Sequence, residues 1–141
     1  MIKLVAGVNL FAAVVHVLFW AAALVHLGGT RPEGPVSSAL ATTFGIGIAD
    51  LVWSVPLLLT GSLLLIRRKP IGWLAAQMAN GLYFYSMTFI LVRDGLVGVF
   101  QPGTLVFLPF TLFAVFAFRV LWKERYRFFA SDQVSTTLSS F

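Results

Sequence analysis

Four long apolar segments constrain this chain more than any other feature of its sequence. They lie at residues 4–27, 40–66, 71–92 and 104–122, and an α-helix needs about 20 mainly apolar residues to cross a bilayer. Only 11% of the residues are charged, whereas a soluble domain carries roughly 25%. The sequence therefore predicts an all-α integral membrane protein whose residues 1–130 form an up-down bundle of four transmembrane helices, in contact with the lipid bilayer.

The basic residues indicate an orientation for these helices. Cytoplasmic loops carry an excess of Lys and Arg, so the side of the bundle that holds more of them is assigned to the cytoplasm. This predicts the cytoplasmic (inner) membrane, cytoplasmic termini and a flexible cytoplasmic tail at residues 131–141, which are rich in Ser and Thr. One side holds Lys3, Arg67, Arg68, Lys69, Arg119, Lys123, Arg125 and Arg127, and the other holds Arg31 and Arg93.

The same distribution argues against nucleic acid as a partner. The net charge is +5, but its basic residues mark the ends of apolar segments and do not form a folded polar face. The chain has no cysteine, and it lacks a glycine-rich phosphate loop, a His-Glu-x-x-His zinc pair and a Gly-x-Ser-x-Gly nucleophile motif. We therefore expect no cofactor, no metal site and no catalytic residue, and an enzymatic function ranks third among the hypotheses.

Asp50 is the leading candidate for a functional residue, because it lies well inside the second apolar segment. A charged side chain at that depth costs a few kcal/mol or more, and is a functional-site hypothesis by default. Its helix face is small and polar, and such faces contact other helices and not lipid. Pro56 follows on the same helix and favours a kink near Asp50. The face consists of Thr43, Gly47, Asp50, Ser54, Leu57 and Gly61.

Other polar residues fall at a similar depth on neighbouring helices. His16 lies near the middle of the first apolar segment, so a His16–Asp50 pair is geometrically possible. Asn80 and Tyr83 share a face of the third segment, and Trp53 is expected to pack beside Asp50. The predicted ligand- or proton-binding cluster is His16, Asp50, Ser54, Asn80 and Tyr83. The simpler alternative is a set of structural inter-helix hydrogen bonds, each worth about 1 kcal/mol.

Two functions remain open from the sequence. The first is binding or translocation of a small solute, cation or proton through the mid-membrane polar cluster centred on Asp50. The alternative is a non-catalytic accessory or structural subunit of a larger membrane complex, whose polar face docks on partner helices. Four short helices enclose little volume, so we expect a homodimer or partner membrane subunits in either case.

Overall fold

The computed structural model describes residues 1–27 and 36–129, with side chains at 1–26 and 40–129. The predicted first connection at 28–35 and the predicted tail at 131–141 lie outside these residues. The described part of the chain is helical and contains no strand. Its elements are α1 (Ile2–Leu27), α2 (Val36–Ala49), a π-helical turn (Asp50–Ser54), α3 (Val55–Ile66), α4 (Pro70–Val97) and α5 (Pro102–Lys123).

Proline and glycine set several of the helix boundaries. Pro70 and Pro102 lie in the first turns of α4 and α5, where the missing proline N–H removes no helical hydrogen bond. α4 ends at Gly98, whose positive φ of 76° suits a glycine. The sequence predicts the third apolar segment over about 71–92, and the helix that contains it is longer, from Pro70 to Val97.

Within the described residues, three stretches of helix are long and apolar enough to cross a membrane. They are Ile2–His26, Leu40–Ile66 and Pro102–Lys123. α4 has 28 residues but is less apolar, and a fourth span is therefore still a prediction. Large apolar side chains such as Leu18, Leu96 and Leu112 are exposed on the outer surfaces of the helices, which is the arrangement expected in contact with lipid.

Small residues allow close contact between α3 and α4. A Cβ added at Gly61 would lie 2.9 Å from the backbone nitrogen of Ala76, and one added at Gly72 would lie 2.6 Å from that of Leu65. Both helices therefore approach with backbone against backbone, as small residues permit in membrane bundles. α1 packs on the other side of α3, and α5 packs on α4.

The packing of the bundle changes from one end to the other. At the end where α1 begins and α5 ends, Val5, Leu65 and Leu121 are completely buried in one apolar cluster. A second cluster around Leu58 and Tyr83 follows along the helices. At the opposite end the side chains border two cavities, which contain the candidate site.

The π-helical turn lies directly before Pro56 and begins at Asp50. The backbone N–H of Val55 donates to the Asp50 carbonyl, five residues earlier instead of four. Because Pro56 has no N–H to donate, a regular α-helical ladder is already interrupted at this point. The sequence predicts a kink near Asp50, and the observed irregularity is this widened turn, a feature that is frequent at functional sites.

Candidate functional site

Asp50 is held by one donor on each of its carboxylate oxygens. Trp20 Nε1 on α1 donates to Oδ2 over 3.0 Å, and Ser54 Oγ donates to Oδ1 over 3.0 Å. The side chain of Asp50 is 9% exposed. Both donors are neutral, so these bonds orient the carboxylate without offsetting a negative charge.

Gly47 makes the contact between Trp20 and Asp50 possible. It lies one helical turn before Asp50, and a Cβ added there would be 2.5 Å from Cε3 of the Trp20 ring. The indole therefore lies flat against bare backbone and reaches the carboxylate with its N–H. Trp53, the expected neighbour of Asp50, is instead 63% exposed, so that expectation is wrong.

His16 is buried close to Asp50 but takes different partners. Its Nδ1 lies 2.9 Å from the Ala12 carbonyl oxygen and 3.4 Å from the Tyr83 hydroxyl. Its ring also packs on Phe107 of α5, with 4.4 Å between the ring centroids. Among the hydrogen bonds of the described residues, none joins His16 directly to Asp50, because Trp20, one turn further along α1, takes that position.

A small cavity brings together four of the five predicted site residues. His16, Asp50, Ser54 and Tyr83 all line it, and its volume is about 20 Å³. One water molecule needs roughly 10–15 Å³ of such space and two to four polar partners. Ser86 and Thr111 also line this cavity, so its polarity and size both suit a single water molecule.

Asn80, the fifth predicted residue, does not line either cavity. Its Nδ2 donates to Gln77 Oε1 over 3.2 Å, which is a contact along the same helix. Its Oδ1 has no hydrogen-bond partner although the atom is buried, and the same is true of Asn9 Nδ2. Asn80 is therefore buried in the packed part of the bundle, and the fold does not bring it to the cavity that the other four predicted residues share.

A much larger cavity lies on the other side of Asp50. Its volume is about 1030 Å³, and it shares Asp50, Ile90 and Phe107 with the small cavity. Its walls come from the last turns of α1 and α4, from α2 and from the first turns of α5. Asp50 therefore lies between a large cavity at one end of the bundle and a water-sized cavity near its middle.

Arg93 and Asp94 form an ion pair at the wall of the large cavity, and both carboxylate oxygens of Asp94 accept hydrogen bonds. Arg93 Nη2 lies 2.7 Å from Asp94 Oδ1, and the Gln101 backbone N–H and the Thr104 hydroxyl both donate to Oδ2. Asp94 lies beyond the apolar stretch 71–92. Burial raises the pKa of Asp94, but hydrogen bonds from Thr104, Gln101 and Arg93, together with the Arg93 charge, hold it below its ordinary value. The Asp94 carboxylate therefore connects the end of α4 to the start of α5 through hydrogen bonds.

Trp20, Phe107 and the Arg93–Asp94 pair were not among the predicted site residues. Trp20 could have been found, because it lies four residues after His16 and shares its helix face. Phe107 belongs to a helix rich in phenylalanine, and nothing in the sequence separates it from its lipid-facing neighbours. Within the described residues, no group of His, Cys, Asp and Glu could hold a metal ion.

Comparison with protein-family models, with curated proteins and with solved structures found no match. We therefore infer a function from the geometry around Asp50 and from the chemistry of the two cavities.

Proposed function

We propose that this protein binds or translocates a small solute, cation or proton in the membrane, with Asp50 as the charged or titrating group. The observation that carries the proposal is the position of Asp50 between the two cavities. A carboxylate with only neutral donors is costly at membrane depth unless water, a proton or a cation reaches it. The large cavity offers such a ligand a path to one face of the carboxylate.

The helices would cross the membrane four times, as α1, α2 with α3, α4, and α5. With both termini in the cytoplasm, the large cavity would open on the opposite side, because it lies where α1 and α4 end and α5 begins. The basic residues Arg67 and Lys69 lie between α3 and α4, at the other end of these helices. That distribution supports the orientation through the positive-inside rule.

The packing of the small polar face favours solute binding over an accessory subunit. A docking subunit would need this face free for a partner, yet Gly47 lies against Trp20 and Gly61 lies against Ala76 of the same chain. Asp50 and Ser54 also have hydrogen-bond partners within the chain. A homodimer or a partner subunit would accordingly have to use another surface.

Labelling and flux measurements on the reconstituted protein test this function. Dicyclohexylcarbodiimide reacts with a protonated carboxyl in an apolar site and leaves a stable N-acylurea, which peptide mass spectrometry can locate. We expect labelling of Asp50 in the wild type, and none at this position in Asp50→Asn. In liposomes with an internal pH dye, wild type should dissipate a proton or cation gradient faster than Asp50→Asn.

Glu124→Gln is the matched control for the flux measurement. It removes one negative charge beyond the far end of α5, so its labelling and flux should equal those of wild type. Circular dichroism and gel filtration establish that the variants are folded. Wild-type protein that is unlabelled at Asp50, with flux equal to that of folded Asp50→Asn, would contradict the proposal.

A further inference from the structure

The walls of the large cavity indicate a class of ligand. We propose that it binds a monovalent organic cation with an apolar body, such as a protonated lipophilic amine or a quaternary onium ion, with Asp50 as the counter-ion. This inference rests on the proposed function and names the ligand of that same site. It follows from the charge, the lining and the size of the cavity.

The charge of the described cavity wall is negative at its inner end. Arg93 and Asp94 offset each other as an ion pair, and Asp94 is further saturated by Gln101 and Thr104. Among the described residues, Asp50 receives hydrogen bonds from Trp20 and Ser54, and neither of these two carries a positive charge. A cation would be attracted to this carboxylate, whereas an anion would find the guanidinium of Arg93 already engaged.

Aromatic rings surround the approach to Asp50. Phe19 packs edge-on against both Trp20 and Phe107, with ring centroids 5.3 and 5.0 Å apart, and all three rings line the large cavity. Aromatic faces attract organic cations, and this attraction increases where water is excluded. Ile46 and Ile90 add aliphatic surface to the wall, and Thr42 and Thr43 add hydroxyl groups. The site therefore combines one carboxylate with a mainly apolar, aromatic surface.

The size and lining argue against an inorganic ion as the main ligand. A volume of about 1030 Å³ lies at the upper end of the roughly 300–1,000 Å³ that is typical of pockets for drug-sized molecules. Calcium takes about six to eight oxygen ligands, and the described residues supply no cluster of acidic or histidine ligands. An organic body would fill the space that a bare ion leaves empty.

Two probes of similar shape and opposite charge test this inference. Tetraphenylphosphonium is a cation and tetraphenylborate is an anion, so a comparison of the two isolates the effect of charge. Binding of each to the full chain in nanodiscs is measured by equilibrium dialysis. We expect saturable binding of tetraphenylphosphonium at one site per chain and at least about tenfold weaker binding of tetraphenylborate, corrected for empty nanodiscs.

Variants connect the binding to Asp50. Asp50→Asn should weaken tetraphenylphosphonium binding by a factor on the order of 30 or more, whereas Asp50→Glu should retain most of it and Glu124→Gln should leave it unchanged. Phe107→Leu keeps an apolar side chain but removes one aromatic face, and should weaken binding by roughly threefold to tenfold. Circular dichroism establishes the folded state of each variant.

A lipid ammonium headgroup presents the same cationic chemistry as a free amine. Nanodiscs of phosphatidylglycerol alone and with added phosphatidylethanolamine distinguish these sources. Competition by phosphatidylethanolamine would identify a headgroup as the occupant, and unchanged affinity would identify a free solute. Both results support an organic cation at Asp50.

Two results would overturn the inference. Equal affinity for both probes would mean that the cavity accepts lipophilic ions of either sign, and this comparison needs no variant. Absence of saturable tetraphenylphosphonium binding would also exclude the onium class. If Asp50 labelling and flux persisted in that case, the proposed function would stand without this ligand class, so the two proposals can fail separately.

Discussion

Gly72→Ala and Gly81→Ala place the same substitution on the same helix and should change stability in opposite directions. A Cβ at Gly72 would lie 2.6 Å from the Leu65 backbone nitrogen, whereas a Cβ at Gly81 would meet no atom within 4 Å. Ordinary contact begins at 3.4 Å, so α3 and α4 would have to separate at Gly72. Two of the three nearest atoms belong to the backbone and the third is the Cβ of Leu64, so none of them can rotate away from the new methyl group.

The magnitudes follow from two opposing contributions. Overpacking of a close contact costs about 1–3 kcal/mol, or occasionally more, while replacement of glycine by alanine inside a helix contributes about 1 kcal/mol of stability. The overlap at Gly72 is severe, so its cost lies at the upper end of that range, about 3 kcal/mol. After the gain of about 1 kcal/mol in helix propensity, we expect Gly72→Ala to lower the free energy of unfolding by about 2 kcal/mol. Gly81→Ala should raise it by up to about 1 kcal/mol, because only the helix-propensity contribution operates there.

Unfolding in mixed micelles measures both effects. The fraction of folded protein is followed by circular dichroism as the mole fraction of sodium dodecyl sulfate increases in dodecyl maltoside. A midpoint for Gly72→Ala at or above the wild-type value would refute the close backbone contact between α3 and α4. A strongly destabilised Gly81→Ala would show that glycine is required at position 81 for a reason other than space on α4.

Two further predictions concern the carboxylates. Trp20→Phe removes the donor to Asp50 Oδ2 and should lower the free energy of unfolding by about 1–3 kcal/mol in the same assay. The control Trp53→Phe, at a residue 63% exposed, should change it by less than about 0.5 kcal/mol. Equal effects of the two substitutions would contradict the Trp20–Asp50 hydrogen bond. The pKa of Asp94 is lowered in the fold, so its ionised form stabilises the protein above the ordinary pKa of about 3.9, and that stabilisation is lost as the pH falls through the lowered value. The stability difference between wild type and Asp94→Asn should therefore shrink below about pH 4, and a difference that grows on acidification would contradict this assignment.

The sequence predicted the helices well because their signals are local. Apolar length indicates the helical segments without reference to tertiary structure, and Pro56 indicates an irregularity within the second segment for the same local reason. The apolar segment 71–92 is shorter than α4 because the charged residues Arg93 and Asp94 follow it in the sequence. In the fold these two side chains form an ion pair, and the helix continues past them to Val97.

The sequence predicted only part of the candidate site, because it does not show how neighbouring helices are rotated relative to one another. Residue spacing places His16, Asp50, Ser54 and Tyr83 at similar depth, and the fold brings all four to one small cavity. Spacing along one helix cannot determine which residue of a neighbouring helix points at Asp50. Trp20 takes that position and His16 does not, because bare backbone at Gly47 admits the indole.

The π-helical turn at Asp50–Ser54 makes this segment intolerant of insertions. This turn already holds one residue more than an α-helical turn, and each residue of an α-helix turns the chain by about 100°. Insertion of a further residue between Asp50 and Pro56 would therefore rotate everything before it relative to α3. Gly61 would keep its contact with Ala76, but the carboxylate would move away from Trp20 and the cavities. Insertions should therefore be excluded from these few positions in any functional variant, while single substitutions at exposed Val52 remain acceptable.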